Sequence, residues 1–157
     1  MTKQKICIIG GGLTGLTTAA ILSNQNISID LYCGTQKKGK NLDNRTTALS
    51  ESNFQYIKKN LNLDKKSFFW PCKKINLFFE DKEKIINFLN FKEKNKNYMY
   101  IFQNKNFKKI LKKKIYLKKN VKLIKKNIDS INSVNNFVVV SKKKVFYDLI
   151  ILSIGSF

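Results

Sequence analysis

The stretch KICIIGGGLTG (residues 5–15) decides the fold of this chain, because an apolar strand pattern runs directly into a glycine-rich turn and then into a helix pattern. The turn has the spacing G-x-G-x-x-G, with its glycines at Gly10, Gly12 and Gly15. In this spacing the first glycine permits a tight turn, the second lets the backbone approach a phosphate, and the third lets the helix pack close to the strand. The helix begins with free backbone N–H groups at the positive end of its dipole. The stretch therefore predicts a pyrophosphate-binding turn.

The segments after the turn support this interpretation. Residues 13–23 have a helix pattern with small side chains that allow close packing on a sheet, and residues 27–33 return to a strand pattern. This strand-turn-helix-strand order predicts an α/β fold in which a parallel sheet begins with a βαβ unit. The alternative interpretation is a glycine-rich turn that holds no ligand.

The remaining elements follow from hydrophobic periodicity. Residues 46–60 predict a helix, and Pro71 is expected to mark a connection. The middle of the chain is rich in β-forming residues and predicts a β-hairpin or meander insertion. The expected later elements are strands at 74–80, 85–91 and 98–102, a helix at 106–118, a strand at 121–124, and strands at 137–140 and 145–154 around a turn at 142–144.

The chain is strongly basic, with 31 Lys and Arg residues, 10 Asp and Glu residues and a formal net charge of +21. This excess suggests attraction to polyanions, which are nucleic acid, an acidic lipid surface or a phosphorylated ligand. Arg45 is the only arginine, whereas proteins that read nucleic-acid sequence depend on arginine, so no nucleic-acid partner is expected. The alternative is compositional drift toward Lys, Asn and Ile in an AT-rich genome. The basic amphipathic helix at 106–118 is open to the same two interpretations, a membrane-surface helix or a helix packed on the core.

Several chemistries are excluded by composition. The chain has no histidine, and its three cysteines (Cys7, Cys33 and Cys72) are widely spaced. A zinc site and the Ser-His-Asp and Cys-His forms of catalysis therefore have no plausible residue set. The cysteine usage favours a reducing compartment, the cytoplasm, and no apolar run approaches the ~18 residues of a membrane span.

A second motif lies at residues 43–52, which read DNRTTALSES. Its arginine, Arg45, suits a phosphate group because the planar guanidinium donates two parallel hydrogen bonds. The alternative is an exposed Arg45 paired with Asp43, and composition alone does not separate the two.

The glycine turn together with Asp43-x-Arg45-x-x-Ala48-Leu49, closed by Ser52, resembles the FAD-dependent aromatic-ring monooxygenases. The resemblance is greatest to the branch that hydroxylates the ring of ubiquinone precursors and is similar in fold to 4-hydroxybenzoate hydroxylase. Three more segments resemble this family in the same order along the chain. They are residues 70–75, the link into the first hairpin; residues 100–104, a Y-x-x-x-N segment; and residues 146–151, the strand before an A-D-G motif.

The resemblance implies a Rossmann-like FAD-binding domain, with FAD as cofactor, NAD(P)H as reductant and O2 as the source of the transferred oxygen. It implies cofactor contacts from Gly10, Gly12, Leu13, Thr14 and Gly15 at the pyrophosphate, from Arg45 on the flavin side, and from Asn104 at the ribityl or phosphate region. It assigns no catalytic residue and no metal. It also implies that the chain is the N-terminal part of a longer enzyme, in which residues 71–103 begin the substrate domain.

The sequence departs from the family at two positions. An acidic residue usually ends the second strand and accepts both ribose hydroxyls, but Cys33 occupies that position here. Asp30 lies three residues earlier and is expected on the opposite face of the strand. Ile154 replaces the acid of the A-D-G motif, although Gly155 matches its glycine.

The resemblance also implies the partners. It predicts a small aromatic substrate, with or without a polyprenyl chain, peripheral contact with the inner membrane face, and contact with other ubiquinone-biosynthesis proteins. Three alternatives remain open. They are a prenyl-lipid reductase or another FAD oxidoreductase of the same fold, a non-enzymatic basic module that binds acidic membrane or nucleic acid, and a remnant that does not fold alone.

Overall fold

The computed structural model describes residues 3–35, 44–63, 68–81, 84–92 and 96–155. The chain divides into two compact units, one formed by Met1–Asp43 with Phe107–Phe157 and the other by Asn44–Asn106. In chain order the elements are β1 (Lys5–Ile9), α1 (Leu13–Leu22), β2 (Ser28–Tyr32), β3 (Thr46–Ser50), α2 (Glu51–Leu61), β4 (Phe69–Cys72), β5 (Lys74–Asp81), β6 (Lys84–Lys92), β7 (Met99–Gln103), α3 (Asn104–Tyr116), β8 (Val121–Ile124), β9 (Ser130–Asn132), β10 (Phe137–Val140), β11 (Lys143–Phe146) and β12 (Leu149–Leu152).

The first unit is built on a parallel sheet with the strand order β12-β1-β2-β8. The strands β1 and β2 are almost continuously buried, as expected when both faces of a parallel sheet are covered. The predicted βαβ beginning and the predicted strand at 121–124 are confirmed. The sequence thus specifies an α/β unit with β1 in its interior.

Successive side chains of β1 point to opposite faces of the parallel sheet, and both faces are packed. Ile8 points to the face that α1 covers with small residues, including Ala19 and Ala20. Cys7 and Ile9 point to the other face, where they join a core cluster with residues of the antiparallel sheet β11-β10-β9, such as Val138. The glycine turn is therefore held at the end of a strand that is fixed on both sides.

The expected strand at 145–154 is wrong as a single element. It is two strands in two different sheets, because β11 ends at Phe146 and β12 begins at Leu149. The chain changes sheet at Asp148, whose backbone N donates to Lys5 O at 2.9 Å and whose carboxylate accepts from Lys5 N at 2.6 Å. The turn before β11 also lies earlier than expected, at Ser141 and Lys142, which both have positive φ angles.

The second unit contains a sheet with the strand order β3-β7-β4 and the helix α2. The expected helix at 46–60 is wrong in its first part, because Thr46–Ser50 is the strand β3. Threonine is β-branched and favours a strand, and the burial of this segment alternates with period two. Helix α2 begins only at Glu51, because the Ser50 hydroxyl accepts a hydrogen bond from the backbone N of Asn53 at 3.3 Å.

Pro71 is not in a connection but in the strand β4, which corrects the sequence-based expectation. The strand β4 lies at the edge of its described sheet, where a residue without an N–H group is tolerated. The predicted hairpin is confirmed as β5 and β6, which pair antiparallel with one irregularity between Leu77 and Phe78.

The assignment of residues 71–103 to a substrate domain stays a prediction. These residues lie in the second unit, which covers Asn44–Asn106. Among the described residues, no helix is both long and apolar enough to cross a lipid bilayer.

Candidate functional site

A cleft of about 610 Å³ opens at the carboxyl ends of β1, β2 and β12 in the first unit. This end of a parallel sheet is where α/β folds bind their ligands. The described residues that line the cleft are Ile9, Gly10, Gly11, Gly12, Tyr32, Cys33, Gly34, Lys126, Asn127, Ile128, Asp129, Ser130, Ile131, Ser153 and Ile154.

The first glycine of the turn is required by its conformation and by its neighbour. Gly10 has a φ of +123°, which residues with a side chain rarely adopt, and a Cβ there would collide with the carbonyl oxygen of Ser153. The backbone N of Gly10 donates to Tyr32 O at 2.8 Å. The Ser153 hydroxyl donates to Ile9 O at 3.0 Å. These bonds fix the chain where it leaves β1.

The third glycine allows α1 to lie against the turn. A Cβ on Gly15 would collide with the carbonyl oxygen of Gly10, so only glycine fits at this approach. This is the close helix-to-strand packing that the sequence predicts for Gly15.

The second glycine faces open space. A Cβ on Gly12 would meet nothing within 4 Å, and its φ of −74° is ordinary for any residue. Neither the packing nor the backbone conformation of the protein therefore requires glycine at this position. A glycine at this position instead allows a ligand to approach the backbone closely.

The beginning of α1 fits an anion. Gly12 is the residue that precedes the helix, no side chain caps it, and the first turn, which begins with Leu13 and Thr14, contains no acidic residue. Uncapped first-turn N–H groups and the helix dipole together favour a phosphate at this end. Gly12, which has free space beside it, and the uncapped beginning of α1 thus lie at the same edge of the cleft and fit a pyrophosphate.

Arg45 and Asn104 lie in the second unit. Asn104 is buried, its Oδ1 accepts a hydrogen bond from the Thr47 hydroxyl at 2.6 Å, and its backbone N donates to Arg45 O at 3.0 Å. These bonds join the beginning of β3 to the beginning of α3. Arg45 is exposed, and Asp43, its possible ion-pair partner, lies outside the described residues.

Comparison with known proteins finds related folds. No family model and no curated protein sequence matches the chain. Among solved structures, a tryptophan halogenase from Shewanella frigidimarina is similar over 98% of this chain and 43% of its own, with 13% identity and a TM-score of 0.73. A probable FAD-dependent monooxygenase from Pseudomonas aeruginosa is similar over 93% of this chain and 40% of its own, with 12% identity and a TM-score of 0.70. A p-nitrophenol 4-monooxygenase from Pseudomonas putida is similar over 98% of this chain and 41% of its own, with 13% identity and a TM-score of 0.69.

The chain has the fold of flavin-dependent monooxygenases and halogenases. The predicted α/β, FAD-binding type of fold is thereby confirmed. The chain spans less than half the length of these structures.

The position at which this fold usually has an acid is occupied by Cys33, directly after β2 and beside Gly11. A Cβ built on Gly11 would lie 2.8 Å from the Cys33 sulfur. Asp30 does not substitute for the missing acid, because its carboxylate accepts a hydrogen bond from the Tyr147 hydroxyl at 2.8 Å and lies 3.2 Å from Lys5 Nζ. Burial raises the pKa of the Cys33 thiol, so the thiol is neutral near pH 7.

Sequence reasoning missed several residues of the cleft. Tyr32, Asn127 and Ser153 each follow or end a parallel strand, and the carboxyl ends of parallel strands meet at one edge. That rule could have predicted Asn127 after β8, whereas Ser153 was obscured because β12 was not separated from β11. Among the described residues, no group of three or more His, Cys, Asp and Glu side chains could hold a metal ion.

Proposed function

We propose that this chain is the FAD-binding portion of a flavoprotein that oxygenates an aromatic ring. The observation that carries the proposal is Gly12, which the protein itself does not require as glycine and which borders the cleft at the beginning of an uncapped helix. FAD has a pyrophosphate that suits this position. The similar fold of flavin-dependent enzymes supports the choice of FAD.

In this proposal the residues of the chain bind and orient the cofactor. The backbone N–H groups at the beginning of α1, at Leu13 and Thr14, bind the pyrophosphate, and Gly10 and Gly15 keep the turn close to β1. The bound flavin supplies the redox chemistry with O2, while the protein supplies binding, orientation and exclusion of water. The contacts of Arg45 and Asn104 with the cofactor rest on the family resemblance and stay predictions.

The finer assignment is hydroxylation of a ubiquinone precursor with NAD(P)H as reductant. Its support is the segment that contains Arg45, Ala48, Leu49 and Ser52, together with the order of the segments that follow it. The net charge of +21 supports peripheral contact of the enzyme with an anionic membrane surface that holds a polyprenylated substrate. Binding to anionic vesicles that does not weaken with added salt would contradict this electrostatic contact.

Aromatic halogenation is a second candidate, because a tryptophan halogenase is among the similar structures, with a TM-score of 0.73. Hydroxylation and halogenation by this fold both require bound FAD. The proposed FAD site is therefore common to both candidates, and FAD binding alone does not distinguish between them.

The test is a titration of the purified chain with FAD, followed by flavin fluorescence and by gel filtration at the flavin absorbance wavelength. Saturable binding with one FAD per chain is expected. A folded chain that shows no saturable binding of FAD would contradict the proposal.

A further inference from the structure

The hairpin of β5 and β6 has one face that consists of apolar side chains alone. Residues that pair across antiparallel strands lie on the same face of a sheet, and successive residues of one strand alternate between its two faces. The register therefore assigns six side chains to this apolar face, which are Ile75, Leu77, Phe79, Ile86, Leu89 and Phe91. The opposite face carries Asn76, Phe78, Glu80, Ile85, Asn87 and Asn90, and four of these are polar. The irregularity in the register leaves Phe88 without a cross-strand partner.

The apolar face is uncovered. Five of its six side chains are exposed, with exposed fractions between 39% and 58%, and Ile75 is half-buried. The sheet has two strands, and no third described strand pairs with β5 or β6. A two-stranded hairpin is at best marginally stable in water unless another strand or another layer packs on its apolar face. The fold of the hairpin therefore requires a surface that covers this face.

We infer that the apolar face is a dimer interface, at which the hairpins of two copies of the chain pack face to face. The six side chains expose on the order of 500 Å² per copy, so the dimer buries about 1,000 Å², which reaches the lower limit for a specific interface. Both copies use the same face, so the contact is isologous and closes at two copies. The product is a small β-sandwich in which the opposite faces, with Phe78 and Ile85, remain exposed.

A second copy fits this face better than a lipid bilayer does. The outer edges of β5 and β6 have backbone N–H and C=O groups without a strand partner in the described chain, and such groups require water. Packing of two hairpins face to face leaves both edges in water, whereas immersion in lipid removes it. The apolar face also has no charged side chain, so two copies bring no unpaired charge into the interface.

The dimer is independent of the proposed cofactor site. The hairpin belongs to the second unit, whereas the glycine turn belongs to the first. Loss of FAD binding would therefore leave this inference standing, and loss of the dimer would leave the FAD site standing.

The experiment is sedimentation velocity of the full chain between about 1 and 100 µM, the range in which an interface of this size associates. At the upper concentrations we expect a mass of twice the 18.3 kDa of one chain. Each copy has a formal net charge of +21, so the two copies repel each other at long range. Added salt screens this repulsion and is expected to lower the dissociation constant several-fold.

Two double variants test the face. Phe79→Thr/Ile86→Thr removes a cross-strand pair from the apolar face and is expected to raise the dissociation constant at least about tenfold. The matched control, Phe78→Thr/Ile85→Thr, removes the same residue types from the opposite face and should leave the dimer intact. The control side chains are 57% and 74% exposed, against 58% and 49% for the test pair, so the control removes no less exposed apolar surface. Threonine preserves the preference for strand structure in both variants.

Hydroxyl-radical footprinting of the unmodified chain gives a test that requires no variant to fold. Labelling of Phe79 and Leu89 is expected to fall several-fold between dilute and concentrated samples, while labelling of Phe78 and Ile85 stays constant.

The results that would overturn the dimer are distinct. A chain that remains monomeric up to about 100 µM would overturn it, because an interface of this area associates below that concentration. Equal dissociation constants for the two double variants, or equal loss of labelling on both faces, would show that association is not specific to the apolar face. A monomer that binds neutral phosphatidylcholine vesicles through Phe79 and Ile86 would replace the second copy with lipid.

Discussion

The hydroxyl of Tyr147 donates a hydrogen bond to Oδ2 of Asp30 at 2.8 Å, in the buried layer between the parallel sheet and the sheet β11-β10-β9. The same carboxylate oxygen lies 3.2 Å from Lys5 Nζ, and the Tyr32 hydroxyl lies 3.0 Å from that of Tyr147. Asp30, the acidic residue nearest in sequence to Cys33, therefore forms buried contacts within the first unit. In the proposed cofactor site, Cys33 therefore occupies the position after β2 without the Asp30 carboxylate to replace it.

Replacement of Tyr147 by phenylalanine tests this network. Tyr147→Phe removes the donor to a buried carboxylate, and we expect the free energy of unfolding to fall by about 2 kcal/mol. Urea denaturation followed by far-UV circular dichroism measures the change. Tyr116→Phe is the matched control, because that side chain is 90% exposed, and it should leave the stability nearly unchanged. Equal stabilities of the two variants would contradict the role assigned to Tyr147.

Alkaline pH should destabilise the first unit through Cys7. Burial, with the nearby charge of Asp30, raises the pKa of this thiol from 9.0 to about 12. Between these two values the unfolded chain loses a proton that the folded chain keeps, so the free energy of unfolding decreases as the pH rises. Below pH 9 both states keep the proton and this contribution is constant.

The pH dependence can be assigned with a cysteine variant. Denaturation curves at pH 7, 9 and 10.5 should show a steeper loss of stability for the unmodified chain than for Cys7→Ala. Cys72→Ala removes a thiol from the second unit and serves as the control. If Cys7→Ala keeps the full alkaline slope, the loss arises from other groups, among which Tyr32 and Tyr147 also have raised pKa values because of burial.

Gly15 and Gly12 should differ in how far stability depends on them. Gly15→Ala forces a Cβ against the carbonyl oxygen of Gly10, and we expect a loss of about 2 kcal/mol of stability. Gly12→Ala adds its Cβ to open space at an ordinary φ angle and should leave the stability within about 0.5 kcal/mol. Thermal and urea unfolding of both variants measure the difference, and a Gly12→Ala variant as unstable as Gly15→Ala would contradict the described geometry.

The hairpin β5–β6 should make the isolated chain bind hydrophobic dyes. Its exposed apolar side chains are Leu77, Phe78, Phe79, Ile85, Ile86, Phe88, Leu89 and Phe91. Large exposed apolar surface of this kind binds 8-anilinonaphthalene-1-sulfonate and promotes association. The triple variant Phe78→Thr/Ile85→Thr/Phe88→Thr should lower dye fluorescence several-fold, whereas Tyr116→Thr, which changes a single and more exposed aromatic residue on α3, should not.

The parts of the fold that could be predicted from sequence are those in which local pattern and packing agree. The buried run of β1, the small residues of α1 and the β-forming runs of β5 and β6 each specify one structure. The segment Thr46–Ser50 was mistaken for helix because Leu49 falls in phase with the apolar residues of α2, while the hydrogen bond at Ser50 that begins the helix is visible only in the structure. The division at Asp148 likewise depends on its pairing with Lys5, which is distant in sequence.

The candidate site follows the same rule. Gly10, Gly12 and Gly15 were predictable because they form a local motif of six residues in which each glycine meets a different requirement of the backbone. Ser153 was not predicted, because β12, the strand that it follows, pairs with β1 although it lies at the other end of the described chain.

The central claim is that the turn around Gly12 binds the pyrophosphate of FAD, and the most direct test is the affinity for FAD of Gly12→Val measured by fluorescence titration. Thr17→Val, one turn further along α1, places the same side chain away from the cleft and serves as the control. The account predicts saturable FAD binding by the unmodified chain and by Thr17→Val, and loss of that binding in a Gly12→Val chain of unchanged stability. FAD binding by Gly12→Val with the affinity of the unmodified chain would contradict it.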